Sequence, residues 1–516
     1  MPIIPVIGEV IGMQTDPPAD QMPRGYMRRI LDFIPRTSIA PLRRRGGWSY
    51  ASGTAGTTGS VKALGAVWAP FSNGAKGVLY NSEDGIRTFP DIVGGATTSI
   101  TTVTNLIGVP IWHRWSGAGA GGGLVILPRG DIGVSTKTPK KYDGSTVADL
   151  GGSPPECLIA ASWGDYLILA QNYDDPKLGN RMYFSGVGNP ESWPANNSID
   201  FPGTITAVVP RGKTIFVFTA DGCHILRGDT PPPGGNMSLD KFTFSQGCPA
   251  QYATATYKDY VIWANANGVF KSDGSQPVDL TKLGGISTYW PYVYFPSSGD
   301  RITIGVYKNF LFCTVTLSPN GTVWKTMVYD LERNSWWEMS NISAYQYFPI
   351  ATAPGTNSED LLFVATNPTG TLNGRIGKIS DIFDYTSNPS DAIGNFSPAL
   401  LTPIFDFGSD GYKRIRKTFW EMSTDSTSSP NGGQLYYSLQ GELDTPAVQG
   451  GDIANYWSPH VGAQTNLKVR QMKHLGKKFQ RMQFYWTAAV QMNFALFAYD
   501  VELTALDPQQ ALDAHT

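Results

Sequence analysis

The sequence predicts an all-β protein: a β-propeller of about six to eight blades, an extended N-terminal arm and a C-terminal β-sandwich. Three observations carry this. Short bursts of strand-forming residues recur at Val78-Leu79-Tyr80, Leu124 to Leu127, Tyr166 to Leu169, Ile215 to Phe218, Tyr260 to Trp263, Phe310-Leu311-Phe312 and Leu361 to Val364. From one start to the next is roughly 42 to 51 residues, the length of a four-stranded propeller blade. Several bursts are followed by Asp-Gly or Asn-Gly (Asp84-Gly85, Asp221-Gly222, Asn267-Gly268), which tolerate the positive φ of tight hairpins. The 12% aromatic content, with 57 Gly and 37 Pro, favours strands and turns over long helices.

Residues 1 to 60 read as an irregular arm, with Pro17-Pro18, a short helical possibility around Tyr26 to Phe33, and the run Arg43-Arg44-Arg45-Gly46-Gly47-Trp48. Such arms rarely have a core of their own and lie on a body or a neighbour. Residues 61 to 395 carry the blade-length repeats, separated by loops such as Pro231 to Gly235 and the Gly/Ala tract from Ser116 to Gly123. From 400 to 506 the rhythm changes. Ile415, Lys417 and Phe419 alternate with Arg414, Arg416 and Thr418, a strand with one wet face. Leu435 to Leu439, Phe479 to Trp486 and Phe494 to Leu503 supply further strands, as a β-sandwich of about 110 residues would. Residues 507 to 516 read as a polar tail.

A chain of 516 residues is expected to hold two or three domains. Its 41% apolar content is enough to bury a sizeable core. Charged residues are only 16%, below the usual quarter, which fits either a surface covered by partners or one rich in Thr, Ser and Asn. A net charge of −2 argues against a nucleic-acid glove. Cys157, Cys223, Cys248 and Cys313 lie far apart without a C-x-x-C pair, so buried free thiols in a reducing cytoplasm are expected. The apolar N-terminus lacks a basic n-region and contains Pro2, Pro5 and Glu9. Neither a secretion signal nor a membrane span is expected.

Chemistry is sparse. His113, His224, His460, His474 and His515 form no H-E-x-x-H or H-x-H pair, so no metal site is expected from local spacing. Cys223 and His224 are strand neighbours and point to opposite faces. No G-x-S-x-G elbow occurs. The glycines from Gly117 to Gly123 precede a strand instead of following one, the wrong order for a dinucleotide cradle. Ser82 to Phe89 resembles the S-x-D-x-G-x-x-W hairpin of sialidase-type propellers but lacks the residue between Asp84 and Gly85. A glycosidase would also need two carboxylates across a sugar, for which Glu191, Asp330 and Glu338 are candidates. Trp193, Trp336 and Trp337 could stack on a sugar or base, or fill spaces between blades. No catalytic, cofactor or metal residue is assigned, and no cofactor is expected.

Basic residues cluster at Arg43, Arg44 and Arg45, at Lys413, Arg414, Arg416 and Lys417, and at Lys468, Arg470, Lys473, Lys477, Lys478 and Arg481. One reading is a solvated, edge-protecting strand face. The other is contact with an acidic partner or DNA backbone, for which Arg43 to Arg45, Lys413, Arg414, Arg416, Lys468, Arg470 and Lys473 are the candidates.

Several stretches together carry a resemblance. Arg181-Met182-Tyr183-Phe184-Ser185-Gly186-Val187-Gly188-Asn189-Pro190-Glu191-Ser192-Trp193 leads into Ile199-Asp200-Phe201, then Ile205 to Pro210, Ile215 to Thr219 and Asp221 to Asp229. Gly247-Cys248, Asp259 to Trp263, Asn267 to Phe270 and Ser272-Asp273-Gly274 follow. This order, with the arm ending Leu42 to Gly47, resembles the β-propeller tail nozzle or tail hub proteins of short-tailed double-stranded DNA bacteriophages. The resemblance spans about residues 25 to 385, and S-x-x-x-N-P-E-x-W is its most distinctive run. It implies a non-enzymatic virion protein, made in the host cytoplasm. It further implies a homohexameric ring beneath the tail adaptor proteins that continues the channel for DNA ejection. Cyclic assembly would use heterologous contacts. The competing reading is a glycan-binding or glycan-cleaving propeller, as a receptor-binding protein or a glycosidase; a third is an adaptor that recruits other proteins.

Overall fold

The computed structural model describes residues 3–7, 10–18, 21–35, 42–45, 47, 65–70, 76–82, 85–89, 98–101, 111–113, 123–126, 138–143, 146–172, 176–240, 244–293, 302–316, 324–351, 359–365, 375–383, 398–405, 413–424, 433–438, 469–479, 481–488 and 494–505. Within them, seven small antiparallel sheets follow one another along the chain: five separate sheets of four strands, a sixth four-stranded unit that is part of a larger sheet, and a last sheet of three. They span residues 65–101, 111–149, 157–200, 205–239, 254–279, 303–339 and 344–378. Each is a simple meander. The first strands of successive sheets pack side by side, and the first strand of the seventh (Ala344–Ala351) packs against that of the first (Gly65–Pro70). The ring therefore closes, and the body is a β-propeller.

Every apolar burst of the sequence falls on the second strand of its sheet, except that Leu127 lies outside the described residues. That strand has hydrogen-bonded neighbours on both sides and a sheet packed on each face, so an unbroken apolar run suits it. Tyr166–Asn172 is buried over its first five residues, and Thr214–Thr219 over its last five. Side chains on the facing sides of the third and fourth sheets form one cluster, including Ile168, Phe184, Val208, Val217 and Leu226. Those pointing the other way from the fourth join a larger one with Trp263, Phe312 and Trp337.

Asp221-Gly222 lies between second and third strands, and Asn267-Gly268 closes the same turn of the fifth sheet with Gly268 opening its third strand; of these four residues only Gly268 has positive φ, at +152°. In the third to sixth sheets a left-handed residue opens the two-residue turn between first and second strands: Gly164 (φ +54°), Gly212 (+58°), Lys258 (+51°) and Lys308 (+55°). Of the sialidase-like hairpin, Ser82 pairs with Gly85, while Glu83 and Asp84 lie outside the described residues.

The arm belongs to the body of this same chain. Arg29–Leu31 forms a strand, not the helix that the sequence suggested, and pairs with two others. On one side is Ser335–Met339, the last strand of the sixth sheet; on the other is Ala399–Phe405. Met482–Ala488 and Gly433–Ser438 continue from there, giving one ten-stranded sheet that runs from propeller to C-terminal region. The chain then steps through Asp32, whose φ is +57°, into Phe33–Pro35. With Ile3–Ile7 and Leu42–Arg44, this strand joins Phe494–Ala505, Lys413–Thr424 and Val469–Phe479 in a second, six-stranded sheet. The region from 400 to 506, expected to stand as a separate sandwich, thus takes strands from the arm in both of its sheets.

Candidate functional site

The basic candidates divide by position. Arg45 is a correction: it does not face a partner, being fully buried and bound to Asp32 through Nε at 2.7 Å. Lys413 is likewise turned inward, 5% exposed. Lys413 opens Lys413–Thr424, an interior strand of the six-stranded sheet, and Arg45 directly follows Leu42–Arg44, another interior strand of that sheet. Arg414 and Arg416 are exposed. Arg43 lies opposite Ala495 and Ile34, and Arg44 opposite Phe33. Arg470 and Lys473 lie on Val469–Phe479, the edge strand of the six-stranded sheet, opposite Glu421 and Thr418. Lys468 lies outside the described residues.

The register brings two basic segments together. Arg414 opposes Lys478, Ile415 opposes Lys477, and Lys417 opposes His474. Like charges directly opposite one another cost stability, yet this edge keeps them. Lys417 is also across from Glu502 on its other side, with Nζ to Oε2 at 3.8 Å. A lysine-rich edge strand discourages pairing with another chain, so edge protection accounts for the cluster without invoking a ligand.

The densest buried polar chemistry locks the arm. Asp32 accepts from the Ser340 amide at 2.8 Å, from Ser340 Oγ and from Arg45, while Arg45 also donates to the Ser340 carbonyl at 2.8 Å. Nearby, Glu338 is fully buried and meets Lys325 Nζ at 2.6 Å, Tyr289 Oη at 2.7 Å and Arg29 Nε at 3.0 Å. Burial alone would raise the Glu338 carboxyl. The charges of Lys325 and Arg29, and hydrogen bonds from Lys325 and Tyr289, outweigh it and hold the group below the usual carboxylate range. Burial pushes the Lys325 ammonium down, against the pull of Glu338. A third contact seats Asp16, which accepts from the amides and hydroxyls of Ser287 and Thr288 at 2.7 to 3.0 Å. These four bonds outweigh partial burial and lower its pKa.

The carboxylates considered for glycoside chemistry are engaged elsewhere. Glu338 is held as above. Asp330 Oδ1 accepts from the amides of Glu332 and Arg333 and from Asn309, fixing a turn. Glu191 bridges two sheets: its Oε1 accepts from Lys141 Nζ at 2.6 Å, in the second, and from the Gly151 amide at 2.8 Å. The N-P-E-x-W run is thereby explained. Asn189 Oδ1 caps the Glu191 amide at 3.0 Å, and Trp193 packs against the cluster of Val125, Leu150 and Leu169. Gly152 sits so close that a Cβ would lie 1.8 Å from the Glu191 carbonyl oxygen. Only glycine fits there.

Trp336 and Trp337 are 0% and 1% exposed, so neither offers a stacking face. His224 packs on Phe201 with ring centroids 5.7 Å apart, while Cys223 faces the other cluster. His474 lies on the edge strand and His113 on Ile111–His113; His460 and His515 lie outside the described residues. No group of three metal-ligating side chains occurs among the described residues. All four cysteines are buried free thiols. No helix among the described residues is long and apolar enough to cross a membrane.

No protein family matches this sequence, and no curated protein sequence matches it. Among solved structures, the chain is similar to the AfRom2 CNH domain, with a TM-score of 0.32, 9% identity, and coverage of 64% of this chain and 99% of that one. It is similar to the computationally designed Ika8 protein, with a TM-score of 0.34, 12% identity, and coverage of 64% and 99%. A third is an exo-β-1,3-galactanase from Phanerochaete chrysosporium, with a TM-score of 0.27, 8% identity, and coverage of 89% and 100%. Likenesses of this size say nothing about chemistry.

Proposed function

We propose that the chain is a structural subunit of the tail nozzle or tail hub type from a short-tailed bacteriophage. In this reading it forms a homohexameric ring that continues the DNA-exit channel, docks on tail adaptor proteins, and carries out no reaction of its own. The observation that supports it is the arm strand Arg29–Leu31, which sits between Ser335–Met339 and Ala399–Phe405. It makes the propeller and the C-terminal sheets share one hydrogen-bonded sheet, sealed by the buried Arg45–Asp32 and Glu338–Lys325 pairs. A body tied together in this way suits a part that keeps its shape while a stiff polymer passes. The glycan-cleaving alternative ranks second. It needs two carboxylates free to act across a sugar, and Glu191, Asp330 and Glu338 are each engaged in structural contacts.

Mass photometry with negative-stain imaging tests the ring. A hollow particle near 336 kDa, six times 56.0 kDa, supports the hexamer. A monomer that persists when purified tail adaptor is added argues against it, and a stable trimer redirects attention to receptor binding.

A further inference from the structure

A polar cleft of about 380 Å³ lies at the rim where the fourth and fifth sheets meet. It is small for a ligand pocket but within the usual range. Phe244 and Phe270, 6% and 5% exposed, contribute only their edges to its lining. Trp263 stacks on both, at 6.2 Å with a 10° tilt and at 5.8 Å with a 28° tilt. Both rings are therefore fixed by packing on Trp263. The walls carry Ser245, Gln246, Asn267, Gln276, Asp279 and Lys282.

The walls are held in place from behind. Asn265 Oδ1 accepts from the Asn267 amide at 2.8 Å. Asp279 Oδ1 accepts from the amides of Thr281 at 2.9 Å and Lys282 at 3.1 Å. Gly268 lets the hairpin tip close on that turn, since a Cβ there would lie 2.6 Å from Thr281 Oγ1. The outward groups, by contrast, are little used. Asn267 Nδ2 reaches Gln246 Oε1 only at a long 3.4 Å, and among the described residues the side chains of Ser245 and Gln276 carry no hydrogen bond.

Charge and shape narrow the ligand. Lys282 and Asp279 balance, with Nζ to Oδ2 at 3.8 Å, so the cleft has no excess of either sign. Three carboxamides and a hydroxyl each offer donors and acceptors together, the pattern that pairs with hydroxyl and acetamido groups. A peptide would dock most simply by adding a strand to a sheet edge, but the edge here, Val278–Asp279, is two residues long.

We propose that this cleft binds a neutral saccharide of one or two hexose-sized units, through Gln246, Asn267 and Gln276. The proposal is independent of ring assembly.

Saturation-transfer difference NMR on the full chain, with glucose, galactose and N-acetylglucosamine as separate probes, tests it. At least one should receive transfer and bind with a Kd on the order of millimolar. The Gln246→Ala/Gln276→Ala double variant should weaken binding by about tenfold or more, as expected for loss of paired polar contacts, with an unchanged thermal midpoint. Absence of transfer to all three sugars overturns the proposal, as does transfer of equal strength in the double variant. Neither outcome bears on the mass of the assembled particle, which is measured separately.

Discussion

Arg45 and Asp32 meet at 2.7 Å with both side chains fully shielded from water. Asp32 is also the left-handed residue at which the chain leaves one sheet for the other. One residue thus sets the path of the arm and supplies the charge that secures it.

Removing either partner strands the other in the interior. Arg45→Ala is expected to cost about 3–5 kcal/mol. Asp32→Asn keeps a residue that tolerates the left-handed region but leaves Arg45 without its counter-charge, and should cost nearly as much. Arg45→Met with Asp32→Asn should recover part of the loss. Urea unfolding followed by tryptophan fluorescence measures all three; strictly additive losses would mean that the pair is not coupled.

Glu338 predicts a specific acid limb. Its folded-state pKa is depressed, so the stability it contributes is present above its unfolded value, roughly 4.3, and is lost as pH falls through the folded value. Denaturation midpoints should therefore change little from neutrality down to about pH 5 and fall below that. Glu338→Gln should lower stability at neutral pH by about 3 kcal/mol and flatten the acid limb. A variant with an unchanged acid limb would assign that limb to other carboxylates, such as Asp16, which is also lowered.

The internal repeats supply their own control. Lys258 and Lys308 hold left-handed turn positions that Gly164 and Gly212 hold in the third and fourth sheets. A side chain there costs about 1–2 kcal/mol, part of which glycine returns as unfolded-state entropy. Lys258→Gly and Lys308→Gly should each stabilise by about 0.5–1 kcal/mol, and Gly212→Lys should destabilise by a similar amount. Thermal midpoints of the three variants decide it.

Burial raises the thiol pKa of Cys157 and Cys313 and takes Cys248 up to about 12. A thiol-specific disulfide reagent at pH 8 should label none of the four cysteines in the native protein and all of them in denaturant. Rapid labelling of a native thiol would show a local opening around that residue.

The seven apolar bursts were legible because the middle of a blade's second strand is covered on every side, so an unbroken apolar run is needed there. Gly164-Asp165, Gly212-Lys213, Lys258-Asp259 and Lys308-Asn309 recur at similar places. They could have been found as the first-turn signal, but the shared feature is a backbone angle, not a residue type, and two of the four lack glycine. Arg45 and Arg414 look alike in sequence, as members of basic runs; one is buried and the other exposed. Nothing local separates them, because burial depends on which strand the sheet places against them.

By itself the sequence determined the β architecture, the repeat length and the places of the interior strands, since hydrophobic patterning acts over a few neighbouring residues. Only the tertiary structure decided that Arg29–Leu31 would join the sixth sheet to Ala399–Phe405 and that Glu338, 309 residues away from Arg29, would become its counter-charge. Pairings across such distances leave no periodic trace in the chain. They are selected when folding brings together strands whose edges and buried charges complement one another.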